Sequence, residues 1–409
     1  MAEPTLSAPE PASAEPAPAE AGAWLQWRPS LITGVSTWAA AFAACVLLSA
    51  VSWLPYQDLP AKAGDPSTSV SSFFDLWHRW DTTWYLLIAD VGYHADDRAA
   101  AFFPLYPMLV RGIAPLVPDN TIVAALLVSS LATIAALTVI HRLTVGALGE
   151  DDARRTVFYL MAFPTAFYLL AAYNESLFIA LAAGSLYCMR RGQWWWAGLL
   201  AGFASATRLA GVLLGLAFAY EYLRQAGFSW RRIRWNVLAA VLVPGGLFAY
   251  MAYCAAELGN PTAFLKAQEA WSRAEFEWPW TTAGKIFEML GSTNSYLHPD
   301  DIRNIANLTA AVVTLTLLVL ALVGPWKLGH EYAYLVIFAT MVVLLPLTHP
   351  LATYYPLSSL WRYVLECIPA FMVLGRMGRN PHLHRVYVFC ALMLQGAMII
   401  SFVQNQFVA

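Results

Sequence analysis

Charge is what this sequence has least of. Only 12% of its 409 residues are charged, while 59% are hydrophobic; a soluble globular chain carries closer to a quarter charged. That scarcity excludes an ordinary water-facing surface. The formal net charge of -2 gives no field to gather nucleic acid. The five cysteines (Cys45, Cys188, Cys254, Cys367, Cys390) all fall in apolar runs without metal-ligand spacing. They read as small buried hydrophobes. No acidic cluster resembles a divalent-cation site, so neither a metal nor a cofactor is expected. There is no internal repeat. Residues 1–22 are mostly Ala, Pro and Glu and lack large apolar side chains. They cannot bury a core and are expected to be disordered. With no basic n-region they do not read as a signal peptide. The tail, cytoplasmic in the orientation below, is taken to run to residue 30.

What abounds is long apolar runs, and the mean hydropathy is +0.53. This predicts an all-α, polytopic membrane protein in which each span satisfies its own backbone. About 20 apolar residues cross a bilayer. The first such run is Leu31 to about Trp53. Others lie near 120–140, 156–172, 174–189, 194–207, 209–223, 236–256, 304–323, 331–347, 363–375 and 386–404, about eleven in all. One transmembrane domain, 31–409, is expected, with outer loops 56–119 and 257–303.

The basic residues orient it. With the N-terminus inside, the inner loops hold Arg28, Arg142, Arg154, Arg155, Arg190, Arg191, Arg224, Arg231, Arg232, Arg234, Lys327, Arg376, Arg379 and Arg385, fourteen of the 24. These cluster in short loops, where the rule has most force. Asp81, Asn174, Glu175, Arg208, His349 and Arg362 then all fall on the outer face.

The stretch from Trp80 to Tyr85 sets a carboxylate, Asp81, among aromatics. Phe73 to Ala89 has helical periodicity through Trp77, Trp80, Trp84 and Ile88, and Gly92 suits its C-cap. Such a helix fits a membrane interface. Asp81 reads either as a surface carboxylate paired with His78 or Arg79, or as a base tuned by an apolar wall. The two prolines of Phe102 to Pro107 predict a broken or re-entrant segment. Glu175 sits with Asn174 in a turn between apolar runs. Arg208 and Arg362 stand alone at span boundaries, either snorkelling or presenting a fork to phosphate oxygens. His349 and Asn174 read as turn residues.

These segments resemble, in order, the PIG-V family of mannosyltransferases. The resemblance rests on Trp80-Asp81 with Trp84-Tyr85, Ile88-Ala89 and Gly92-Tyr93, then on Phe102 to Pro107. It continues through Phe163 to Phe167, Tyr173 to Phe178, Thr207 to Gly211 and Ser359 to Tyr363. It implies a GT-C glycosyltransferase with its site at the outer face. It also implies a polyprenyl-phosphate sugar donor, most often mannose, and inversion at the sugar. Asp81 would be the base, Arg208 and Arg362 the phosphate clamps, and Glu175 an acceptor-binding group or a second acid. Trp80, Trp84 and Tyr85 would stack on sugar or prenyl chain. Thr82-Thr83 departs from the Gly-containing pattern common after Trp-Asp, and Asn174 replaces the commoner Ser or Thr before Glu. Membrane lipid, the lipid-linked donor and a glycan or glycolipid acceptor are the expected partners, in a bacterial plasma membrane. The rivals are a GT-C enzyme using another polyprenyl-linked sugar, and a transporter of a polyprenyl-linked substrate. A transporter would be expected to carry charges near mid-membrane, on broken helices in related halves.

Overall fold

A computed structural model describes residues 23–54, 73–117, 120–273, 275–292 and 298–408. Residues 1–22 lie outside it, as do 55–72 of the first outer loop. Sixteen α-helices of the described residues follow in order: α1 (Ala23–Trp53), α2 (Asp81–Val91), α3 (Leu105–Ile113), α4 (Thr121–Leu148), α5 (Glu150–Ala162), α6 (Glu175–Arg190), α7 (Trp194–Ser205), α8 (Leu214–Gln225), α9 (Gly245–Glu257), α10 (Ala263–Ala270), α11 (Pro279–Ser292), α12 (Pro299–Leu322), α13 (Ala333–Thr348), α14 (Leu360–Val364), α15 (Ile368–Met377) and α16 (Pro381–Val403). Short 3-10 turns join several of them. Among the described residues the one β feature is an isolated bridge between Arg273 and Leu351. The fold is all-α. Because α1 starts at Ala23, the tail cannot extend to residue 30.

Among the described residues five helices are long and apolar enough to cross a membrane, near α1, α4, α12, α13 and α16. A sixth crossing is formed if the 3-10 segment Trp235–Leu242 and α9, bent by 43°, count as one. The expected count of eleven is not met by this measure, because α5 to α8 and α15 are shorter. The largest difference falls on the span expected at 156–172. There α5 stops at Ala162, before Pro164, and the chain drops into a 3-10 turn over Ala166–Leu169. Proline cannot donate into a helix and forces the residue before it out of the α region.

Irregular backbone at membrane depth is tolerated only when protein surrounds it. Here every residue from Pro164 to Ser176 is buried, and side chains of neighbouring elements satisfy its carbonyls. Thr133 Oγ1 donates to Leu169 O at 2.5 Å, and Ser129 Oγ to Tyr173 O at 3.3 Å. Thr82 Oγ1 donates to Ala172 O at 3.3 Å. Gln395 Nε2 serves both Met161 O and Phe163 O at 2.9 Å. Ser129 is the ninth residue of α4, so at ~1.5 Å per residue this turn lies roughly 12 Å below the start of α4.

The segment read as one helix from Phe73 to Ala89 is two pieces. A 3-10 turn covers Phe73–Trp77, and α2 begins afresh at Asp81. Trp80 between them takes φ 53°, a left-handed conformation that stops a helix. Its aromatics do not form a lipid-facing stripe: Trp77 and Tyr85 are buried in the core, while Trp80 is exposed. Gly92 ends α2 at φ 85°, its N–H bonded to Ile88 O at 3.0 Å, as expected. Pro104 caps α3 and Pro107 sits in its first turn, where no N–H is required. Cys45, Cys188, Cys254 and Cys367 are buried, but Cys390 is exposed on α16, because α16 shows one side to the surroundings.

Candidate active site

Five charged side chains from four separate segments meet in the helix bundle. Glu175 is the first residue of α6 and wholly buried. Its Oε1 receives Arg208 Nη2 at 2.7 Å and Arg362 Nε at 2.8 Å, together with Arg362 Nη2. Arg362 Nη2 also reaches Asp81 Oδ2 at 2.8 Å. On the other side Arg208 Nη1 pairs with Glu366 Oε1. The result is one chain of contacts: Asp81, Arg362, Glu175, Arg208, Glu366.

Local structure delivers each group. Asp81 occupies the first turn of α2 because Trp80 breaks the chain there, and a carboxylate is favoured at the positive end of a helix. Arg208 lies in the turn between α7 and the 3-10 helix Leu209–Leu213. Asn174 Nδ2 holds that turn through Thr207 O at 2.8 Å. Gly211 closes it, since a Cβ there would stand 2.3 Å from Ser205 N and 2.4 Å from Ala204 C. Arg362 sits in the short α14, which follows Ser359 in the left-handed region. Aromatic faces frame both guanidiniums. Arg362 lies 4.9 Å from the Tyr168 ring centre and 4.8 Å from that of Tyr173. Arg208 lies 5.3 Å from Tyr363 and 5.9 Å from Phe178. Cations over ring faces are attracted to the π-cloud.

Exposure grades along the chain. Glu175, Glu366 and Arg362 are buried, and the Arg208 side chain is 14% exposed. The Asp81 side chain is 31% exposed, and its Oδ1 has no partner among the described residues. Asp81 is therefore the open end of an otherwise enclosed cluster. Three carboxylates face two guanidiniums, leaving one net negative charge when all are ionised. Glu175 Oε2 and Glu366 Oε2 are buried without hydrogen bonds.

Several expectations change here. The partner of Asp81 is neither His78 nor Arg79 but Arg362. Arg79 is buried and bonds the carbonyls of Asp75, His78 and Val403. Arg208 and Arg362 do not snorkel, and they do not present open forks: carboxylates already engage them. Tyr85 is not placed to stack on a ligand. It is buried against Phe102, Tyr106 and Tyr173 at 5.3, 5.0 and 6.5 Å between ring centres. Trp84 stacks on Phe102 at 5.6 Å and meets Trp271 edge-on at 5.5 Å. Trp80 is exposed and packs edge-on to Phe407 at 5.2 Å. Asn174 does more than turn the chain, while His349 simply ends α13. Glu366 was missed. Its signal was present: an acid one helical turn beyond Arg362, alone in an otherwise apolar stretch. No group of three or more His, Cys, Asp or Glu among the described residues is arranged to hold a metal.

Residues 60–237 match the family model described as Mannosyltransferase (PIG-V). Over those residues the chain is similar to that family. Its match includes Trp80, Asp81, Trp84, Tyr85, Glu175 and Arg208, and stops short of Arg362 and Glu366. GPI alpha-1,6-mannosyltransferase 2 of Mus musculus is 28% identical over 219 residues, 47% of this chain and 43% of that one. The Cricetulus griseus protein of the same name is 31% identical over 147 residues, 33% of this chain and 29% of that one. GPI mannosyltransferase 2 of Yarrowia lipolytica is 28% identical over 175 residues, 42% of this chain and 48% of that one. The chain thus spans less than half the length of these relatives. Among solved structures, ArnT from Cupriavidus metallidurans bound to undecaprenyl phosphate aligns with a TM-score of 0.40 and 14% identity, over 89% of this chain and 77% of that one. The apo oligosaccharyltransferase of Archaeoglobus fulgidus aligns at 0.44 and 12%, over 90% and 56%. Both likenesses are remote in backbone as in sequence.

Proposed function

We propose that this protein is an inverting glycosyltransferase of the GT-C type. It moves a mannosyl residue from a polyprenyl-phosphate donor to a glycan or glycolipid acceptor at the outer membrane face. The observation that carries the reading is Asp81: a half-open carboxylate, fixed at one oxygen by Arg362 and unpartnered at the other, within the segment that matches mannosyltransferases. In the proposed step the acceptor hydroxyl oxygen attacks the anomeric carbon. The bond from that carbon to the phosphate oxygen breaks. Asp81 Oδ1 takes the hydroxyl proton, and the lipid phosphate departs with the electron pair. A lipid phosphate is a weak base, so one carboxylate is sufficient, and a general base supplies typically about 10²–10⁴-fold.

The geometry also supports a lipid-linked donor. An apolar groove of about 530 Å³ runs beside the site, with Ile88, Leu105, Met108, Phe203, Leu242 and Tyr250 among its walls. Leu105 N bonds Ala206 O at 3.1 Å, two residues from Arg208, so the groove ends near the ion chain. Its apolar lining suits a prenyl tail. The buried forks of Arg362 and Arg208 act in this reading as positioning groups. Arg303, half-buried and donating from Nη2 to Phe407 O at 2.9 Å, lies 4.6 Å from the ring of Tyr355 and 5.5 Å from that of Phe407, which packs on Trp80; in this reading it is the cation that meets the donor phosphate. The test is transfer of labelled mannose from polyprenyl-phosphate-mannose by the purified protein in proteoliposomes. In parallel, the glycan or glycolipid that shortens by one sugar on deletion identifies the acceptor. Donor movement across the membrane without transfer would make the protein a carrier.

A further inference from the structure

We propose that the pocket formed by the connection after α8 binds the phosphate headgroup of an anionic phospholipid, on the membrane face opposite Asp81. The pocket holds about 540 Å³ and is lined by Trp194, Tyr222, Gln225, Arg231, Arg232 and Arg234, among others. All three of those arginines are exposed, and none makes a side-chain hydrogen bond or ion pair with a described residue. Arg224, just before them, differs: Glu221 takes its Nε at 2.6 Å and its Nη2 at 2.7 Å. Glu221 also receives Gln225 Nε2 at 2.7 Å, and no acidic residue follows until Glu257. Among the described residues no acid forms an ion pair with the three cations that line the pocket.

The loop carrying them is built, not slack. Gly227 and Phe228 both turn through positive φ, 64° and 52°. Phe228 N then bonds Leu223 O at 2.8 Å. This folds the chain back until Arg232 Nη1 lies 3.1 Å from where a Gly227 Cβ would stand. Tyr222 Oη accepts from Arg234 N at 2.9 Å and donates to Asn236 Oδ1 at 2.7 Å, pinning the backbone between the last arginine and the next segment. Planar forks on a fixed backbone match phosphate oxygens better than mobile surface charge does.

The setting selects a lipid over a soluble anion. An apolar span pair begins at Trp235, so the loop sits where membrane gives way to water. Trp230, Trp235 and Phe228 project beside it, 78%, 82% and 61% exposed, and Trp195 and Trp196 open α7 nearby. Tryptophan collects at that boundary, and basic pockets between membrane helices hold anionic headgroups. Both α7 and α8 reach from this pocket to the Arg208 end, 12 residues each, or roughly 18 Å. The site is thus separate from the ion chain. Topology-setting arginines need only be charged; nothing in that role requires a pinned pocket.

The test is native mass spectrometry of the purified full chain titrated with dioctanoyl phosphatidylglycerol or dioctanoyl phosphatidylcholine. Phosphatidylglycerol should bind in preference. Arg231→Gln, Arg232→Gln and Arg234→Gln should each weaken it about fivefold, and the triple variant should erase the preference. Arg385→Gln, an equal charge loss on α16, should not matter. Arg232→Lys, which keeps the charge and loses the fork, should fall between wild type and Arg232→Gln, and serves if the triple variant does not fold. No preference for phosphatidylglycerol overturns the proposal. So does an equal loss in Arg385→Gln, which would reduce the effect to bulk charge. Displacement of phosphatidylglycerol by equimolar inorganic phosphate would make the site one for a soluble anion and end the lipid reading.

Discussion

At Asp81 the protein leaves one carboxylate oxygen free and fastens the other. Asn keeps that shape, and its amide oxygen can still accept from Arg362. Asp81→Asn should therefore fold normally yet lose roughly 10²-fold or more in transfer rate, measured in proteoliposomes beside a gel-filtration control. Near-normal transfer would remove Asp81 as the base. Arg362 behaves differently, because its loss leaves the buried Glu175 to Arg208 alone, a cation that Glu175 already shares with Glu366. Breaking a buried pair by deleting one partner costs about 3–5 kcal/mol. Arg362→Ala should lower the thermal unfolding temperature in detergent markedly, before any question of donor affinity arises. Arg303→Ala should do the reverse: it should leave unfolding nearly unchanged and raise the donor KM. If Arg362→Ala were as stable as wild type and merely raised that KM, the phosphate-clamp role would return to Arg362.

Among the elements, the turn from Ser205 to Gly211 carries the most constraint. Gly211 has neighbouring backbone where any Cβ would go, so Gly211→Ala must push the turn apart and carry Arg208 with it. Transfer should fall by on the order of 10²-fold, since ~1 Å of misplacement can cost that much; full activity would show that the turn relaxes freely. A second constraint staples the connection between α15 and α16 to α5. Asp152 accepts from Arg379 Nη2 at 2.6 Å and Nε at 3.0 Å, and from Arg155. Burial alone would raise the Asp152 carboxyl, but the hydrogen bonds and charges of Arg379 and Arg155 outweigh it and hold it below its ordinary value. A lowered folded-state value means stability that is present above the unfolded value, about 3.9, and is lost as pH falls through the folded one. The wild type should therefore lose its stability advantage over Asp152→Asn below about pH 4 and keep it from there to neutrality. Parallel unfolding curves across that window would rule the staple out as an acid-labile element.

On the scale of the whole molecule, the ion chain and the arginine pocket lie at opposite ends of α7 and α8, and in the proposed reading they face opposite sides of the membrane. Orientation then follows from which end is outside. In a Cys390→Ser background, needed because Cys390 is exposed, single cysteines at Asp65 and Glu275 should react with an impermeant thiol reagent in intact cells. Cysteines at Arg191 and Arg385 should not. The opposite labelling pattern would put Asp81 on the inner face and remove the outer-face reaction.

The apolar composition and the runs of about 20 residues were enough to determine an all-α membrane protein, because a span must satisfy its backbone locally. The aromatic Trp-Asp block, the Asn-Glu turn and the isolated Arg208 and Arg362 were legible for a related reason. Charge is so scarce here that each solitary charged residue stands out. Who pairs with whom was not legible. Asp81 meets Arg362 across 281 positions, and Arg208 meets Glu366 across 158; no helical period reports contacts of that range. Nor did hydropathy show that 156–172 is a broken, buried turn, since apolar residues serve equally in a span and in a core. The backbone of that turn is stabilised by Thr133, Ser129, Thr82 and Gln395 from other elements. The local sequence therefore specified an apolar segment, and only the packing of α4, α2 and α16 around it decided its shape.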